Sequence, residues 1–498
     1  MNKVQQAEYS ETGSEKVCSC GCKCGCSEEA EADPGIHEEC GVFGMYDFDG
    51  EDVASTIYYG LFALQHRGQE SAGIAVCDTE GPVGDALIHK DKGLANEVFN
   101  AENLATLNGN LGIGHVRYPS EGTAKKENAQ PLLVNYVKGI LGVAHNGSIL
   151  NCKELRESMA ESGAIYQTTG DAEVIGYLIA RERLHTDSVE GAILNACKKL
   201  KGAYSMAIMS PRKLIGVRDP HGYRPLCIGK RDNAYFLSSE TCSLDTIDAE
   251  FVRDVKPGEI VTITPEGGIE SNMDLAIEKA ASCIFEYIYF ARPDSVIDGV
   301  GVYGARVESG RILARRHPVE ADLVVGVPSS GSPAGLGYAL ESGIPHGNGF
   351  IKNSYVGRTF IKPKQSQRET AVKIKLNVLK EAVAGKRVVM VDDSIVRGTT
   401  CARIVKMLRA AGAREVHVRI SSPLFLYPCF YGTDIPSQEH LVAHNRTVEE
   451  IREIIGADSL GFMEVEDLPP IVKNKIDFCD ACFTGNFPEL PEGFKGFD

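Results

Sequence analysis

The feature that most constrains the fold is a regular alternation of strand and helix patterns in the second half of the chain. Short apolar runs at residues 322–327, 387–391 and 415–421 predict buried strands, and helical periodicity at 334–342 and 401–411 lies between them. This order is typical of βαβ units, whose strands form a parallel sheet. The ligands of such sheets bind at the carboxyl ends of the strands. We therefore expect an α/β domain with a site at that edge.

The first half shows a different pattern, in which short apolar strands are joined by glycine-rich segments. Predicted strands lie at 41–46, 73–76, 112–115, 140–145 and 205–209, and predicted helices at 55–64 and 171–183. This arrangement indicates a mixed α+β domain. A polar stretch with helical character at 272–281 marks the expected boundary, which divides the chain into domains 40–275 and 276–498.

Composition excludes several classes of protein. A length of 498 residues suits two or three domains, and the formal net charge of −16 disfavours binding to bare nucleic acid. No apolar run approaches the ~18 residues of a membrane span. Sixteen cysteines without a secretion signal indicate a reducing compartment. We expect a cytoplasmic protein with neither a nucleic-acid nor a membrane partner.

Residues 1–39 differ from the rest of the chain, because they are polar, rich in glutamate and contain few large apolar side chains. Such a segment buries too little apolar surface to offset its ordering entropy, so it is predicted to be disordered. It also contains five alternating cysteines, from Cys18 to Cys26. Thiolates bind soft metals, but this spacing is not that of a structural zinc site, and a passive tail is the other interpretation.

Two adjacent carboxylates, Asp392 and Asp393, follow the predicted strand at 387–391 and precede a loop with hydroxyl and glycine residues. The loop leads into a helix, whose N-terminal N–H groups suit a phosphate. The two acids suit a ribose diol or the magnesium that accompanies a diphosphate. The alternative is that they only cap the helix, for which one aspartate is enough.

This run resembles the phosphoribosyl-diphosphate signature of the type I phosphoribosyltransferases. The resemblance implies that Asp392 and Asp393 contact the ribose hydroxyls and that the loop after them surrounds the 5-phosphate. The loop residues implied to bind the substrate in this way are Ser394, Val396, Arg397, Gly398, Thr399 and Thr400.

Two further segments extend the resemblance to this family. Residues 327–333 resemble its diphosphate loop, in which Ser330 is implied to hold Mg²⁺ together with the two aspartates. A segment that begins at Lys352 resembles its mobile lid, and Lys352 and Arg358 are implied to neutralise the departing diphosphate. Ser329 departs from the family pattern, since relatives usually carry an acid at this position.

In the first half, Cys40 precedes a glycine and an apolar strand. By itself this arrangement more often marks a buried structural thiol than a nucleophile. Four further motifs follow it in order, at residues 64–74, 114–118, 145–147 and 170–173. Together with Cys40 they resemble the glutamine amidotransferase domain that has an N-terminal nucleophile.

In that family the nucleophilic cysteine becomes residue one after a propeptide is removed, and its own free α-amine serves as the base. The resemblance implies this role for Cys40 and a propeptide at residues 1–39. A thiolate is the competent nucleophile, and an amine with a pKa near ~8 can relay its proton at neutral pH. An amine still held in the peptide bond between Glu39 and Cys40 could not.

The same resemblance implies roles for five other residues. Asn146 and the backbone N–H of Gly147 would form the oxyanion hole, which needs donors aimed at the tetrahedral oxygen. Among the glutamine-binding residues, Arg117 would hold the α-carboxylate as a planar donor and Asp171 the α-ammonium. Arg67 would support the glutamine site from behind the nucleophile.

A glutaminase domain followed by a phosphoribosyltransferase domain resembles the glutamine phosphoribosyl-diphosphate amidotransferase family, in its propeptide-bearing, iron–sulfur branch. The resemblance implies an αββα sandwich followed by an α/β domain of the type I phosphoribosyltransferases. It implies that glutamine is hydrolysed to glutamate and ammonia, and that ammonia converts phosphoribosyl diphosphate to 5-phosphoribosylamine in the first committed step of purine synthesis. It also implies a homo-oligomer, either a dimer or a tetramer, that purine nucleotides inhibit.

Four cysteines of the second half form one more candidate site, namely Cys283, Cys429, Cys479 and Cys482. By their spacing alone they suit zinc or an iron–sulfur cluster, because both accept four thiolates. The family resemblance implies a [4Fe–4S] cluster at these positions. We expect a structural role for it, since amide transfer needs no electron transfer.

Two other functions fit part of the pattern. A nucleotide sensor or transcription regulator would keep the loop at Asp392 and Asp393 but would lack the glutaminase motifs and the lid. An amidotransferase that acts on a sugar phosphate would carry a sugar-isomerase domain in place of that loop. Release of diphosphate that requires both glutamine and phosphoribosyl diphosphate distinguishes the three functions.

Overall fold

A computed structural model describes residues 40–118, 125–353, 376–433 and 437–497. The predicted propeptide at 1–39 with its alternating cysteines, Arg358 and most of the predicted lid therefore lie outside the described residues. None of the helices in the described ranges is long and apolar enough to cross a membrane.

The first half of the described chain forms two antiparallel sheets. Their strands are β1 (Gly41–Asp47), β2 (Ser71–Cys77), β3 (Leu87–Lys92), β4 (Leu111–Arg117), β5 (Leu132–Tyr136), β6 (Gly139–Asn146), β7 (Ser205–Ser210), β8 (Lys213–Arg218), β9 (Cys227–Arg231), β10 (Ala234–Ser238), β11 (Glu250–Asp254), β12 (Ile260–Thr264) and β13 (Gly268–Asn272). The strand order is β11-β9-β10-β1-β4-β2-β3 in the first sheet and β13-β12-β8-β7-β6-β5 in the second.

The helices of this half cover the outer faces of the two sheets. They are α1 (Ala54–Ala63), α2 (Ala95–Val98), α3 (Ala101–Leu104), α4 (Cys152–Glu161), α5 (Asp171–Glu182), α6 (Val189–Cys197) and α7 (Thr241–Thr246). Ile57 of α1 packs in one core with Phe43 of the first sheet, and Ile175 of α5 packs in another with Val143 of the second sheet.

A third core joins the inner faces of the two sheets, where residues such as Val42 and Ile113 meet Ala144 and Ala207. Successive side chains of a strand point to opposite faces, so β1 contributes Val42 to this core and Phe43 to the outer one. The layers are therefore helix, sheet, sheet and helix, and the predicted αββα sandwich is confirmed.

The second half is built around a parallel sheet. The strands of this half are β14 (Ser282–Cys283), β15 (Val296–Ile297), β16 (Val300–Gly301), β17 (Leu323–Gly326), β18 (Phe350–Lys352), β19 (Leu376–Val378), β20 (Arg387–Asp392), β21 (Glu415–Ile420), β22 (Ser459–Phe462) and β23 (Phe478–Cys479). Its helices are α8 (Val302–Arg316), α9 (Gly331–Ser342), α10 (Lys380–Val383), α11 (Thr399–Ala410), α12 (Val448–Ile455), α13 (Leu468–Ile471) and α14 (Ala481–Thr484). The parallel sheet has the order β17-β20-β21-β22.

Helices lie on both faces of the parallel sheet. Val389 and Val391 of β20 pack in one core with residues of α8 and α9, whereas Val388 and Met390 pack in another with residues of α11 and α12. A strand that is buried on both faces reads as a continuous apolar run, which explains the pattern at 387–391. The predicted α/β domain with a parallel sheet is confirmed.

The helical character expected at residues 272–281 is wrong. β13 ends at Asn272, whose Oδ1 accepts a hydrogen bond from the Asp274 N–H over 2.8 Å. Side-chain bonds of this kind compete with helix formation, and the segment continues through turns to β14. The predicted domain boundary at residue 275 falls in this connection and stays a prediction.

Candidate active sites

Cys40 lies immediately before β1, where Gly41 pairs with Val116 of β4. This register brings Cys40 next to Arg117 and Tyr118, and its Sγ donates to the Tyr118 carbonyl over 3.7 Å. Burial raises the pKa of the Cys40 thiol above its ordinary value, and the positive charge of Arg117 opposes that shift. The predicted nucleophile and the arginine predicted to hold glutamine are therefore neighbours.

Asn146 ends β6, the strand that faces β1 across the sandwich. His115 of β4 bonds to the His145 carbonyl over 2.9 Å and so ties this end of β6 to the strand that carries Arg117. Asn146 has no exposed surface, and neither amide atom has a hydrogen-bond partner among the described residues. An unpaired buried amide costs about 1–3 kcal/mol, so its donor is held ready for a ligand.

Gly147 follows Asn146 with a φ of +128°, a backbone conformation that favours glycine. A Cβ at this position would lie only 2.2 Å from the Ala203 carbonyl oxygen. The next turn of the loop is held by Asp171, the first residue of α5, whose Oδ2 accepts from the Ile149 N–H over 2.9 Å. The loop that contains Gly147 is thus hydrogen-bonded at Ile149 to Asp171, which connects the predicted oxyanion residues to the start of α5.

Glu70 is a site residue that the sequence did not predict. Its Oε2 accepts a hydrogen bond from Nη1 of Arg117 over 3.0 Å, and its side chain is only 15% exposed. Its negative charge adds to the effect of burial on the Cys40 pKa. Glu70 lies within the motif at 64–74, but nothing in that motif indicates which side chain it faces.

Arg67 lies behind the nucleophile and points away from it. Its guanidinium bonds to Glu240 and, over 2.5 Å, to Glu286, and the Arg67 side chain has no exposed surface. A Cβ added to Gly41 would lie 3.5 Å from the Cβ of Arg67. A guanidinium enclosed in this way cannot contact glutamine directly, so support from behind is the role that its position allows.

At the second site, Asp392 ends β20 and Asp393 follows it. Asp393 accepts hydrogen bonds from the hydroxyls of Ser330 and Ser394, the latter over 2.5 Å. Burial raises the pKa of both carboxyls, and the negative charge of Asp393 raises that of Asp392 further. The three residues predicted to hold Mg²⁺ therefore lie together.

The predicted diphosphate loop lies against the same strand end. A Cβ on Gly331, the first residue of α9, would lie 2.6 Å from the Val391 carbonyl oxygen. Lys352 reaches back to this loop, with Nζ 3.2 Å from the Ser329 hydroxyl oxygen. Ser329, the residue that departs from the family pattern, thus contacts Lys352 of the predicted lid. Arg358 of the same predicted lid lies outside the described residues.

In the predicted phosphate loop, Gly398 has a φ of +79° and directly precedes α11, whose first two residues, Thr399 and Thr400, are the last of the loop prediction. Val396 is buried, and its carbonyl accepts from the Val442 N–H over 2.6 Å, which anchors the middle of the loop. Thr399 and Thr400 are exposed at the start of α11. Their hydroxyls and the first N–H groups of that helix are therefore accessible to an anion.

The four cysteines of the predicted cluster line one cavity. Cys283 of β14 and Cys479 of β23 are partners in a parallel pair of strands, and burial raises the pKa of Cys283 to about 11. Across the described ranges, no three His, Cys, Asp or Glu side chains are grouped so that they could hold a metal ion. Four free thiols around one cavity are a donor set that both zinc and an iron–sulfur cluster accept.

Comparisons with known proteins match almost the whole chain. A family model described as a glutamine amidotransferase domain matches residues 117–246. The amidophosphoribosyltransferase of Methanocaldococcus jannaschii is 49% identical over 463 residues, which cover 90% of this chain and 97% of that protein. That of Bacillus subtilis is 48% identical over 460 residues, which cover 91% and 95%.

Two solved structures are similar over the same extent. One is described as the allosteric regulatory enzyme of purine biosynthesis, with a TM-score of 0.85, 46% identity and coverage of 91% of this chain and 97% of that one. The other is glutamine phosphoribosylpyrophosphate amidotransferase from Bacillus subtilis in complex with ADP and GMP, with a TM-score of 0.83, 47% identity and coverage of 90% and 97%.

Identity of this degree across both halves defines the class, a glutamine-dependent amidotransferase joined to a phosphoribosyltransferase. The chain belongs to the amidophosphoribosyltransferase family. It is therefore an enzyme that transfers the nitrogen of glutamine to phosphoribosyl diphosphate, in the first committed step of purine synthesis. A nucleotide sensor and a sugar-phosphate amidotransferase are excluded, because the relatives match over 90% of the chain.

Proposed function

We propose that Cys40 is the nucleophile that releases ammonia from glutamine, and that it acts once residues 1–39 have been removed. The contact of Cys40 with the end of β4, beside Arg117, is the observation that carries the proposal. Burial raises the pKa of the Cys40 thiol, and the freed α-amine supplies a base on the same residue that can accept the thiol proton. Attack on the side-chain amide forms a glutamyl thioester and ammonia, and water then hydrolyses the thioester to glutamate.

The remaining residues of this site bind glutamine and stabilise charge. The Asn146 amide and the Gly147 N–H donate to the oxyanion of the tetrahedral intermediate, a role supported by the unpaired state of the buried Asn146 amide. Arg117 holds the α-carboxylate of glutamine and Asp171 its α-ammonium. Arg67 supports the glutamine site from behind the nucleophile, a role that its burial supports.

At the second site, ammonia attacks C1 of phosphoribosyl diphosphate with inversion and displaces diphosphate, which gives 5-phosphoribosylamine. Asp392 and Asp393 bind the ribose hydroxyls, and Lys352 and Arg358 neutralise the diphosphate. The loop that holds the 5-phosphate consists of Ser394, Val396, Arg397, Gly398, Thr399 and Thr400. The exposed hydroxyls at the start of α11 support this assignment.

Mg²⁺ would be held by Ser330, Asp392 and Asp393, because hard cations prefer oxygen ligands. Two adjacent carboxylates, of which Asp393 is buried and Asp392 half-buried, fit such an ion, since its charge removes the repulsion between them. When bound, Mg²⁺ supplies positive charge that stabilises the departing diphosphate.

A [4Fe–4S] cluster would be held by Cys283, Cys429, Cys479 and Cys482, which share one cavity and are all free thiols. The cluster would join β14, the segment at Cys429 and the end of the chain, which gives it a structural role. The free thiols of the described cysteines support a cytoplasmic location, where the environment is reducing.

We also propose a homo-oligomer, a dimer or a tetramer, and inhibition by purine nucleotides. The second proposal is supported by the related Bacillus subtilis enzyme, whose solved structure contains ADP and GMP.

Replacing Cys40 by alanine tests the proposed nucleophile. Cys40→Ala is expected to abolish formation of 5-phosphoribosylamine from glutamine and to leave formation from added ammonium within about twofold of the unsubstituted enzyme, because the second site stays intact. Both rates are followed by diphosphate release.

Cys77→Ala is the matched control, since Cys77 is a buried free thiol of the same domain that is remote from the proposed chemistry. This variant should keep both rates. If Cys40→Ala loses both rates while it remains folded, the two-site proposal is wrong.

A further inference from the structure

A group of buried charged side chains lies between the two halves of the protein, and of its members only Arg67 is assigned to one of the two sites. We name this group, which consists of Arg67, Arg224, Glu240 and Glu286, the interdomain junction. Arg67 donates to Glu240 through Nε and to Glu286 through Nη2, and Arg224 donates to Glu286 over 3.4 Å. The exposure of each of the four side chains is at most 2%.

One end of the junction lies under the glutamine site. The residue after Arg67 is Gly68, and a Cβ there would lie 2.5 Å from the backbone nitrogen of Arg117. Gly68 therefore packs directly on the backbone of the residue proposed to hold the α-carboxylate. A shift of Arg67 must move Gly68, and with it Arg117.

The other end leads to the phosphoribosyl site. Glu286 begins a five-residue π-helical turn, Glu286–Phe290. Arg306 of α8 donates to the carbonyls of Tyr287 and Ala291, over 3.0 and 2.8 Å, and so holds this turn. Arg306 lies on α8, which packs against α9 so closely that a Cβ on Gly310 would lie 1.8 Å from the Ala334 carbonyl oxygen. α9 begins directly after Ser330, whose hydroxyl donates to Asp393. Contacts thus continue from Arg67 to the acidic loop.

Glu240 links the same arginine to a second segment of the phosphoribosyltransferase half. Its Oε2 accepts from the Ser295 hydroxyl over 2.6 Å and from the Arg292 N–H over 2.9 Å. Burial alone would raise the pKa of Glu240, but Arg67 and His66 hold it well below its usual range. A buried charge that loses its partner is strongly destabilised, so the junction resists any displacement of one half against the other.

We propose that the interdomain junction is a positioning element that keeps the glutamine site and the phosphoribosyl site in register, so that ammonia made at one is used at the other. The proposal rests on Cys40 as the nucleophile. The junction residues touch no reacting atom, and they act through Gly68 on Arg117 and through the turn at Glu286 on Arg306.

The test is Glu286→Gln, which removes one charge and keeps the shape of the side chain. We expect kcat/KM for glutamine to fall roughly tenfold or more, since small misplacements of bound groups are costly. The rate with ammonium should stay within about twofold, and glutamate formed per diphosphate released should rise from about one to about two or more, because ammonia escapes before it is used. The iron content is measured in parallel, since Glu286 lies near Cys283.

Asp298→Asn is the matched control. Asp298 forms another largely buried ion pair between the two halves, with Arg218 over 2.8 Å, and it also accepts a hydrogen bond from the Ser282 hydroxyl. This variant should lose thermal stability and keep the ratio of glutamate to diphosphate at about one. If folded Glu286→Gln also keeps the ratio of glutamate to diphosphate at about one, the proposal is wrong.

Arg67→Lys is the alternative test variant if Glu286→Gln does not fold. Lysine retains the charge but lacks the planar fork that bridges two carboxylates, so the same uncoupling is expected. An unchanged ratio in a folded Arg67→Lys enzyme also overturns the proposal. Failure of the proposed nucleophile is distinguishable, because Cys40→Ala would then keep its glutamine-dependent rate.

Discussion

At the residue scale, Glu70 shows how one side chain sets the properties of two others. It holds Nη1 of Arg117 over 3.0 Å, and it adds to the effect of burial that raises the pKa of Cys40. A hydrogen bond between charged groups contributes about 1.5–3 kcal/mol. Glu70 therefore orients the proposed glutamine-binding arginine and at the same time disfavours the thiolate of Cys40.

Glu70→Gln is expected to lower the pKa of the Cys40 thiol, because the negative charge that raises it is removed. The rate of alkylation of Cys40 by iodoacetamide, followed by peptide mass analysis, should then rise at a lower pH. KM for glutamine should increase roughly tenfold, because Arg117 loses the partner that orients it.

Glu182→Gln is the control, since Glu182 also pairs with a cation, Lys199, over 2.5 Å, but lies far along the chain from the cysteine. Its alkylation profile should match that of the unsubstituted enzyme. A profile that is unchanged in Glu70→Gln would contradict the role of Glu70.

Gly147→Ala is expected to reduce kcat for glutamine hydrolysis by about 10²–10³, because it displaces a donor of the proposed oxyanion hole. The added Cβ would lie 2.2 Å from the Ala203 carbonyl oxygen, so the backbone must move. Gly163→Ala isolates this effect, since Gly163 also has a positive φ but nothing lies within 4 Å of the added Cβ. Equal losses in the two variants would show that the conformation of Gly147, and not the close contact, is decisive.

At the scale of elements, the contact of α8 with α9 positions the predicted diphosphate loop. A Cβ on Gly310 of α8 would lie 1.8 Å from the Ala334 carbonyl oxygen, and one on Gly337 of α9 would lie 1.9 Å from that of Val307. The two helices therefore approach with their backbones in contact. Since α9 begins at Gly331, directly after the loop, this packing determines where Ser330 meets Asp393.

Gly310→Ala is expected to lower the free energy of unfolding by about 1–3 kcal/mol or more, because the added methyl group forces the two helices apart. Gly304→Ala, on the same helix, has open space around the added Cβ and should instead gain up to about 1 kcal/mol from helix propensity. Denaturant unfolding of both variants measures the difference. A stabilised Gly310→Ala protein would refute the close packing of the helices.

At the scale of the whole molecule, the end of the chain is tied to both halves. Glu489 accepts from the Gly202 N–H of the glutaminase half over 2.7 Å. The Tyr431 hydroxyl donates to the Glu489 carbonyl over 2.6 Å and accepts from its N–H over 2.9 Å. Tyr431 also lines the cysteine cavity, so the proposed cluster lies where these connections meet.

Purified protein is expected to contain iron and sulfide, and removal of the iron should loosen the segment after Cys482. The reason is that the cluster would link that segment to β14, which otherwise pairs with β23 through two residues only. Limited proteolysis with mass analysis should detect earlier cleavage in this segment than in the iron-loaded enzyme.

Cys227→Ala provides the comparison, as a buried free cysteine outside the cavity that should keep its iron and its resistance to protease. Active protein that contains no iron would contradict the proposed cluster.

Local sequence was sufficient to predict most of the strands and helices and the candidate site residues that lie within motifs. The run at 387–391 indicated a strand because β20 is buried on both faces, and Asp392 and Asp393 follow it in sequence. The wrong helical prediction at 272–281 arose because periodicity does not register the side-chain bond that starts a turn at Asn272. The sequence did not predict roles for Glu70, Glu240 and Glu286, because a single glutamate in a sequence does not indicate which residue it will pair with.

The sequence by itself determined the two domain types, the order of the motifs and the family, since each of these depends on neighbouring residues. Only the tertiary structure decided which charges meet. Arg67 lies 173 positions from Glu240 and 219 from Glu286, and no local pattern records such pairs. Their burial makes pairing obligatory, because a charge removed from water is stable only beside its partner. The chain's motifs therefore specify the two sites, and its long-range buried contacts specify how they are joined.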